Sequence, residues 1–365
     1  MWKPVLSALG ILFNLWVATQ TNHANLSSDF IQFYAAGKLA GTGHLYDRQA
    51  MVAIEARYGA PGFLTGRLPV VALTFKPLSV LPFAIARKVW LTASILAGIL
   101  ALLLWPDVDR AAMLIALCWS LPACFTLFYG QEVLFWLLLF ASGLYLLRRG
   151  HCYAAGITFA LCICKFHLLI GLGVMLLARR EWKTIFGGIL STAFLLMMCF
   201  ALEGPTWPTL YGANMRLPEF SPATNRMPDV YGLVARFPHG LMLEILLSAV
   251  IASALWFACR RTSLTVAGAL ASATGLLMAH HSQGYDCLLL LPLCVIVARE
   301  GRLPEWIRLA AVLLLSPVLL FTLASDYSII AQLLVCVFVI AALILSPAIQ
   351  LSLTHDRQER LSTSE

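Results

Sequence analysis

The chain has 365 residues, 60% of them hydrophobic and only 12% charged, with a net charge of +7. Its mean hydropathy is +0.84, which excludes a water-soluble domain. Apolar runs of roughly 17 to 25 residues recur, each long enough to cross about 30 Å of hydrocarbon as a helix, and none alternates with the two-residue period of a membrane barrel.

The expected class is therefore an all-α polytopic membrane protein. Its opening, "MWKPVLSALGILFNLWVA", holds one Lys and an apolar run with no clear small-x-small cleavage site, and reads as an uncleaved first span rather than a signal peptide. About ten full spans are expected, near residues 3–19, 85–105, 111–128, 131–147, 184–202, 239–258, 263–280, 285–298, 305–323 and 326–346. The turns at Arg110, Arg148–Arg149, Arg179–Arg180, Arg260–Arg261 and Arg299 alternate with turns near 129, 282 and 325 that lack Lys and Arg, so the basic turns are expected to be cytoplasmic. That sorting holds only if residues 153–178 begin and end on the cytoplasmic side. The stretch is read as a short helical hairpin with Lys165 and His167 near its tip, the competing reading being one continuous helix with a buried Lys.

Both termini are then cytoplasmic, and the segments 20–84 and 203–238 and the turn "HHSQGYD" meet on the opposite, extracytoplasmic side. Residues 1–353 are expected to form one transmembrane domain, followed by a polar, disordered tail at 354–365. Within 28–60, mixed polar and apolar faces predict helices lying along the membrane surface, with Ser28 or Asp29 capping the first and Asp47 the second. All ten cysteines fall in spans or at span ends, which suits small buried hydrophobes and offers no disulfide framework.

Four places carry candidate chemistry. Asp29, about ten residues beyond the first span, reads either as a helix cap or as a general base that takes a proton from a sugar hydroxyl. Lys165 places an ammonium at the tip of an intramembrane element, where it needs a phosphate or a carboxylate such as Glu132 as partner, and His167 could donate to the same anion. "AHHSQGYDC" places His280, His281, Tyr285 and Asp286 at the outer end of two spans; adjacent histidines on a helix diverge, so at most one faces a shared site. Gln131 and Glu132 open another span from the same side. No Walker loop or glycine-rich nucleotide fingerprint occurs, which disfavours a soluble nucleotide-sugar donor.

"SDFIQFYAAGKLAGTGHLYD" resembles the acidic, aromatic, small-residue opening of glycosyltransferase family 87, polyprenyl-phosphate-dependent mannosyltransferase-like membrane proteins of the C-type glycosyltransferase fold. "FKPLSVLPFAIARKVW", "YGQEVLF" followed by "CKFHLL", and "GYDCLLLLP" are similar to further segments of that family in the same order, with Lys76 and Phe166 where Pro is usual and Glu132 where Asn is common. The resemblance implies transfer of a hexose, by default mannose, from a polyprenyl-phosphate donor to a glycolipid or polysaccharide acceptor at the periplasmic face of the inner membrane, with inversion. It implies Asp29 as catalytic base and Lys165 with one of His280 or His281 around the donor phosphate; His167 is expected beside Lys165 at that phosphate, and Gln131, Glu132, Tyr285 and Asp286 are the expected substrate-binding residues. No metal or other cofactor is implied, the expected partners are membrane lipid and the two saccharide substrates, and nothing points to nucleic acid. A transporter or flippase of lipid-linked saccharides is the alternative; it would favour internal repeats and paired broken helices, of which the sequence offers one broken element and no repeat.

Overall fold

The structure, a computed structural model, describes residues 2–20, 28–59, 65–217 and 223–350. The tail from Thr354 and residues 21–27, which precede the motif that starts at Ser28, lie outside the described residues. All secondary structure among the described residues is helical. In chain order the helices are α1 (Trp2–Gln20), α2 (Ser28–Leu39), α3 (Arg48–Glu55), α4 (Pro69–Thr74), α5 (Lys76–Ser79), α6 (Phe83–Leu104), α7 (Arg110–Trp119), α8 (Leu121–Tyr129), α9 (Val133–Arg148) and α10 (Cys152–Ala160). They continue with α11 (Ile170–Ala178), α12 (Trp182–Glu203), α13 (Trp207–Met215), α14 (Val230–Val234), α15 (Gly240–Cys259), α16 (Leu264–Met278), α17 (Leu291–Arg299), α18 (Glu305–Leu315), α19 (Pro317–Leu323) and α20 (Ser328–Ile344).

Among the described residues, four helical stretches are long and apolar enough to cross a membrane, or up to six if each bent pair counts as one span, fewer than the ten expected. Two causes are visible. Ser120 and Ser316 cap fresh helices just before Pro122 and Pro317, bending α7–α8 by 63° and α18–α19 by 72°. In addition, α9, α16 and α20 have 15 to 17 residues, and α16 is buried in protein from Thr265 to Met278.

The bundle has two chemically distinct ends. At one, Arg148 pairs with Asp107 at 2.9 Å and Arg299 with Asp109 at 2.8 Å, while Arg179 donates to the carbonyls of Cys259 and Thr262. The same end holds Gln350, whose side chain accepts from the Ser263 amide. These are the basic turns grouped above. At the other end lie α2 to α5, α13, α14 and the turn at 279–283, around Asp29.

Residues 152–178 would pass for a single span by length and composition. Their packing gives a different path. Gly156 lies against Thr184 and Gly188 near the start of α12, and Arg179 lies against the end of α15, so α10 starts and α11 finishes at the basic end. Between them Leu168 lies against Gly275 near the far end of α16, and Lys165, with φ −135° and ψ 64°, breaks the helix. The two limbs splay: α10 leans on α9 and α12, α11 on α15 and α16.

α2 departs from the surface helix expected of it. Phe30, Phe33, Tyr34, Ala35 and Ala36 are buried, because α4, α5 and α6 cover the side that would otherwise face water. Only α3 keeps the mixed faces foreseen, with Asp47 accepting from the amides of Gln49 and Ala50 as its cap.

Candidate functional site

Asp29 sits in the first turn of α2, where the positive end of the helix favours a carboxylate. Aromatic packing fixes that turn. Phe30 stacks on Trp90 at 6.1 Å, Phe33 stacks on Phe75 at 4.9 Å, and the Tyr34 hydroxyl donates to the Leu81 carbonyl at 2.7 Å. Gly130 ends α8 at φ +75°, and a Cβ there would stand 2.7 Å from the Cβ of Phe30, so no other residue fits. This close approach brings the next residue, Gln131, to Asp29: its Nε2 donates to Oδ2 at 2.7 Å.

Arg67 joins three segments. Its guanidinium lies 2.8 Å from Oε1 of Glu132 and 3.5 Å from Oε1 of Gln131, donates to the carbonyl of Cys164 at 3.3 Å, and stacks 4.9 Å from the ring centre of Phe33. The hairpin tip is therefore tied to the start of α9 and to α2 through one side chain. Burial pushes the Asp29 carboxyl above its usual range, and the Gln131 hydrogen bond and the Arg67 charge only partly offset this.

Lys165 is buried and pairs with Asp286 at 2.7 Å, its ammonium also lying 4.9 Å from the ring centre of Tyr285. Asp286 uses its other oxygen to accept from the Gln283 amide, which starts the helical turn Gly284–Leu290. The carboxylate foreseen for Lys165 is thus Asp286 rather than Glu132, which Arg67 holds. The histidine doublet splits, but in a turn rather than on a helix: α16 ends at Met278 and both histidines sit in the bend that follows. His280 Nδ1 lies 2.8 Å from Glu244 with its ring 4.2 Å from that of Tyr231, whereas the ring of His281 lies 6.4 Å from that of His167 beside the hairpin tip.

Two cavities meet these residues. One, of about 350 Å³, is lined by Asp29, Tyr129, Arg226, Gln283 and Tyr285, with Phe125, Leu320 and Leu323 supplying apolar wall. The other, of about 460 Å³, is an apolar groove between α1, α6, α7 and α8, which carries Arg87 and ends at Phe30 and Gly130. Those two residues are the sequence neighbours of Asp29 and Gln131, so Asp29 lines the first cavity and the residue next to it lines the groove.

Of the residues singled out from sequence, Asp29 and Tyr285 line the polar cavity. Gln131 touches Asp29 directly, Glu132, Lys165 and Asp286 form the buried ionic layer behind it, and His167 and His281 flank the tip. His280 is engaged with Glu244 and Tyr231. Arg67 and Arg226 fall within the long segments 20–84 and 203–238, with no motif around them that marks either as functional. A signal for Arg67 did exist, since a carboxylate at the start of a span, Glu132, requires a cation.

No curated protein and no solved structure matches the chain. Glycosyltransferase family 87 matches residues 69–292, more than half the chain, a range that contains Gln131, Lys165 and Asp286 and begins after Asp29 and Arg67. With this match, on an all-helical and strongly apolar chain, the protein belongs to glycosyltransferase family 87 and is a membrane glycosyltransferase.

Proposed function

We propose that the protein transfers a hexose, mannose by family default, from a polyprenyl-phosphate donor to a saccharide or glycolipid acceptor at the periplasmic face of the inner membrane. The observation that carries this reading is that Asp29 lines the polar cavity while its neighbour Phe30 lines the apolar groove. A donor with a long hydrocarbon tail and a sugar phosphate head needs both surfaces side by side, and a soluble nucleotide sugar would need only one.

In this reading the acceptor hydroxyl enters the polar cavity within reach of Asp29. As its oxygen attacks the anomeric carbon from the face opposite the phosphate, the hydroxyl proton passes to the carboxylate. The bond from the anomeric carbon to the phosphate oxygen breaks with its electron pair on that oxygen, and polyprenyl phosphate departs. One displacement gives inversion. Gln131 fixes the rotamer of the base, and a carboxyl pushed upward by burial is a stronger proton acceptor than one in water. The pairs Arg67–Glu132 and Lys165–Asp286 tie the segments around Asp29 together.

Asp29→Asn preserves shape and removes the base. In membranes supplied with a polyprenyl-phosphate hexose, it is expected to lower the transfer rate by about 10²- to 10⁴-fold with normal insertion. Transfer at the wild-type rate would refute the assignment.

A further inference from the structure

Both basic residues closest to Asp29 in the ionic layer are already neutralised. Arg67 is held by Glu132 and Lys165 by Asp286, and Lys165 and Asp286 are almost entirely shielded from solvent. The cavity is different. Among its lining residues the only charged side chains are Asp29 and Arg226. Arg226 is exposed, and among the described residues no carboxylate lies within ion-pair distance of it.

The segment that presents Arg226 is fastened in place. Buried Gln332 on α20 donates to the carbonyls of Thr224 at 3.2 Å and Met227 at 3.0 Å, bracketing Arg226, and accepts from Arg236 at 2.9 Å. Two residues beyond Met227, buried Asp229 accepts from the Gly232 amide and from the Ser282 hydroxyl, tying the same segment to the turn that carries Gln283. Gly232 is pressed against Met227 and Gln332; a Cβ there would overlap the Met227 carbonyl and stand 2.8 Å from the Gln332 amide. The backbone on both sides of Arg226 is thus held, so its exposed side chain lines the cavity from a fixed origin.

We propose that Arg226, clamped by Gln332 and Asp229, is the cation that meets the phosphate of a polyprenyl-phosphate ligand in the Asp29 cavity. This rests on the donor reading above and adds the residue that receives the leaving group. A guanidinium offers two parallel donors to a phosphate, so it gains most when the bond to the anomeric carbon breaks and charge collects on the phosphate oxygens. Asp29 and Arg226 come from different segments of the chain and both line this cavity.

The probe is undecaprenyl monophosphate, with the uncharged polyprenol as control, titrated onto the purified full-length protein in detergent. Arg226→Ala is expected to weaken binding of the monophosphate by about 10- to 100-fold, as for loss of a charge-assisted hydrogen bond, and to leave polyprenol binding unchanged. Arg226→Lys should recover part of the loss, because a single ammonium restores charge but not the paired donors. Gly232→Ala, which leaves every charged group in place and displaces the clamp, should weaken the monophosphate selectively as well; wild-type affinity in that variant would overturn the clamp. Wild-type affinity in Arg226→Ala, or an equal loss for polyprenol, would overturn the assignment of Arg226 alone. A wild-type protein that binds no undecaprenyl monophosphate would overturn the donor reading and this inference together.

Discussion

The two ends of the bundle use ion pairs in opposite ways. At the basic end, Arg148 and Asp107 keep 39% and 43% of their side-chain surface in solvent, and Arg299 likewise reaches its partner from the surface. At the Asp29 end, Lys165 and Asp286 keep 4% and 1%. Exposed pairs of the first kind contribute little to stability, whereas buried pairs lose hydration that their mutual attraction barely recovers. A bundle optimised only for stability would fill the second site with apolar side chains. The difference accords with the proposed function, in which the Asp29 end gives up stability for chemistry.

That contrast can be broken from either side. The largest effect is expected for Lys165→Met, which strands Asp286 without a counter-charge and should destabilise the protein by about 3–5 kcal/mol. Adding Asp286→Asn should return most of the loss, read as recovery of the thermal midpoint in detergent; an unrecovered double variant would mean that the pair supports the fold by more than charge balance.

Next in size is the pH dependence of transfer. In the proposed mechanism Asp29 must be ionised to accept a proton, and burial raises its carboxyl above the ordinary value of 3.8. The rate is therefore expected to fall as the pH drops through a midpoint above that value. Gln131→Leu removes the hydrogen bond that favours the ionised form and should move the midpoint further upward. A midpoint unchanged by this substitution would separate Gln131 from the titrating group. The smallest effect is expected at the basic end, where Arg148→Ala should change stability by no more than about 1 kcal/mol in the same thermal assay. A loss comparable to that of Lys165→Met would abolish the distinction between the ends.

The sequence carried the grouping of the two ends because charge in short turns is a local property: Arg149 and Arg180 on either side of residues 152–178 required that segment to return, and the break at Lys165 lies where it turns. Asp29 was legible for the same reason, as an acid just past an apolar run. The partners were not. Lys165 with Asp286 spans 121 positions, and no local period encodes such a pairing. The burial of α2 was equally hidden, since its mixed composition is compatible with a surface helix until α4 to α6 fold across it. Arg226 lay in a long polar segment whose shape is set by Gln332, more than a hundred residues away.

The turn at Lys165 also bears on how the chain is made. Synthesis delivers the lysine well before its aspartate exists, so during biogenesis the ammonium must stay hydrated or near lipid headgroups until the last third of the polypeptide arrives. Closure of this pair is thus a late assembly event that joins early and late segments, and a ribosome halted before residue 286 would leave the tip of the hairpin unsecured.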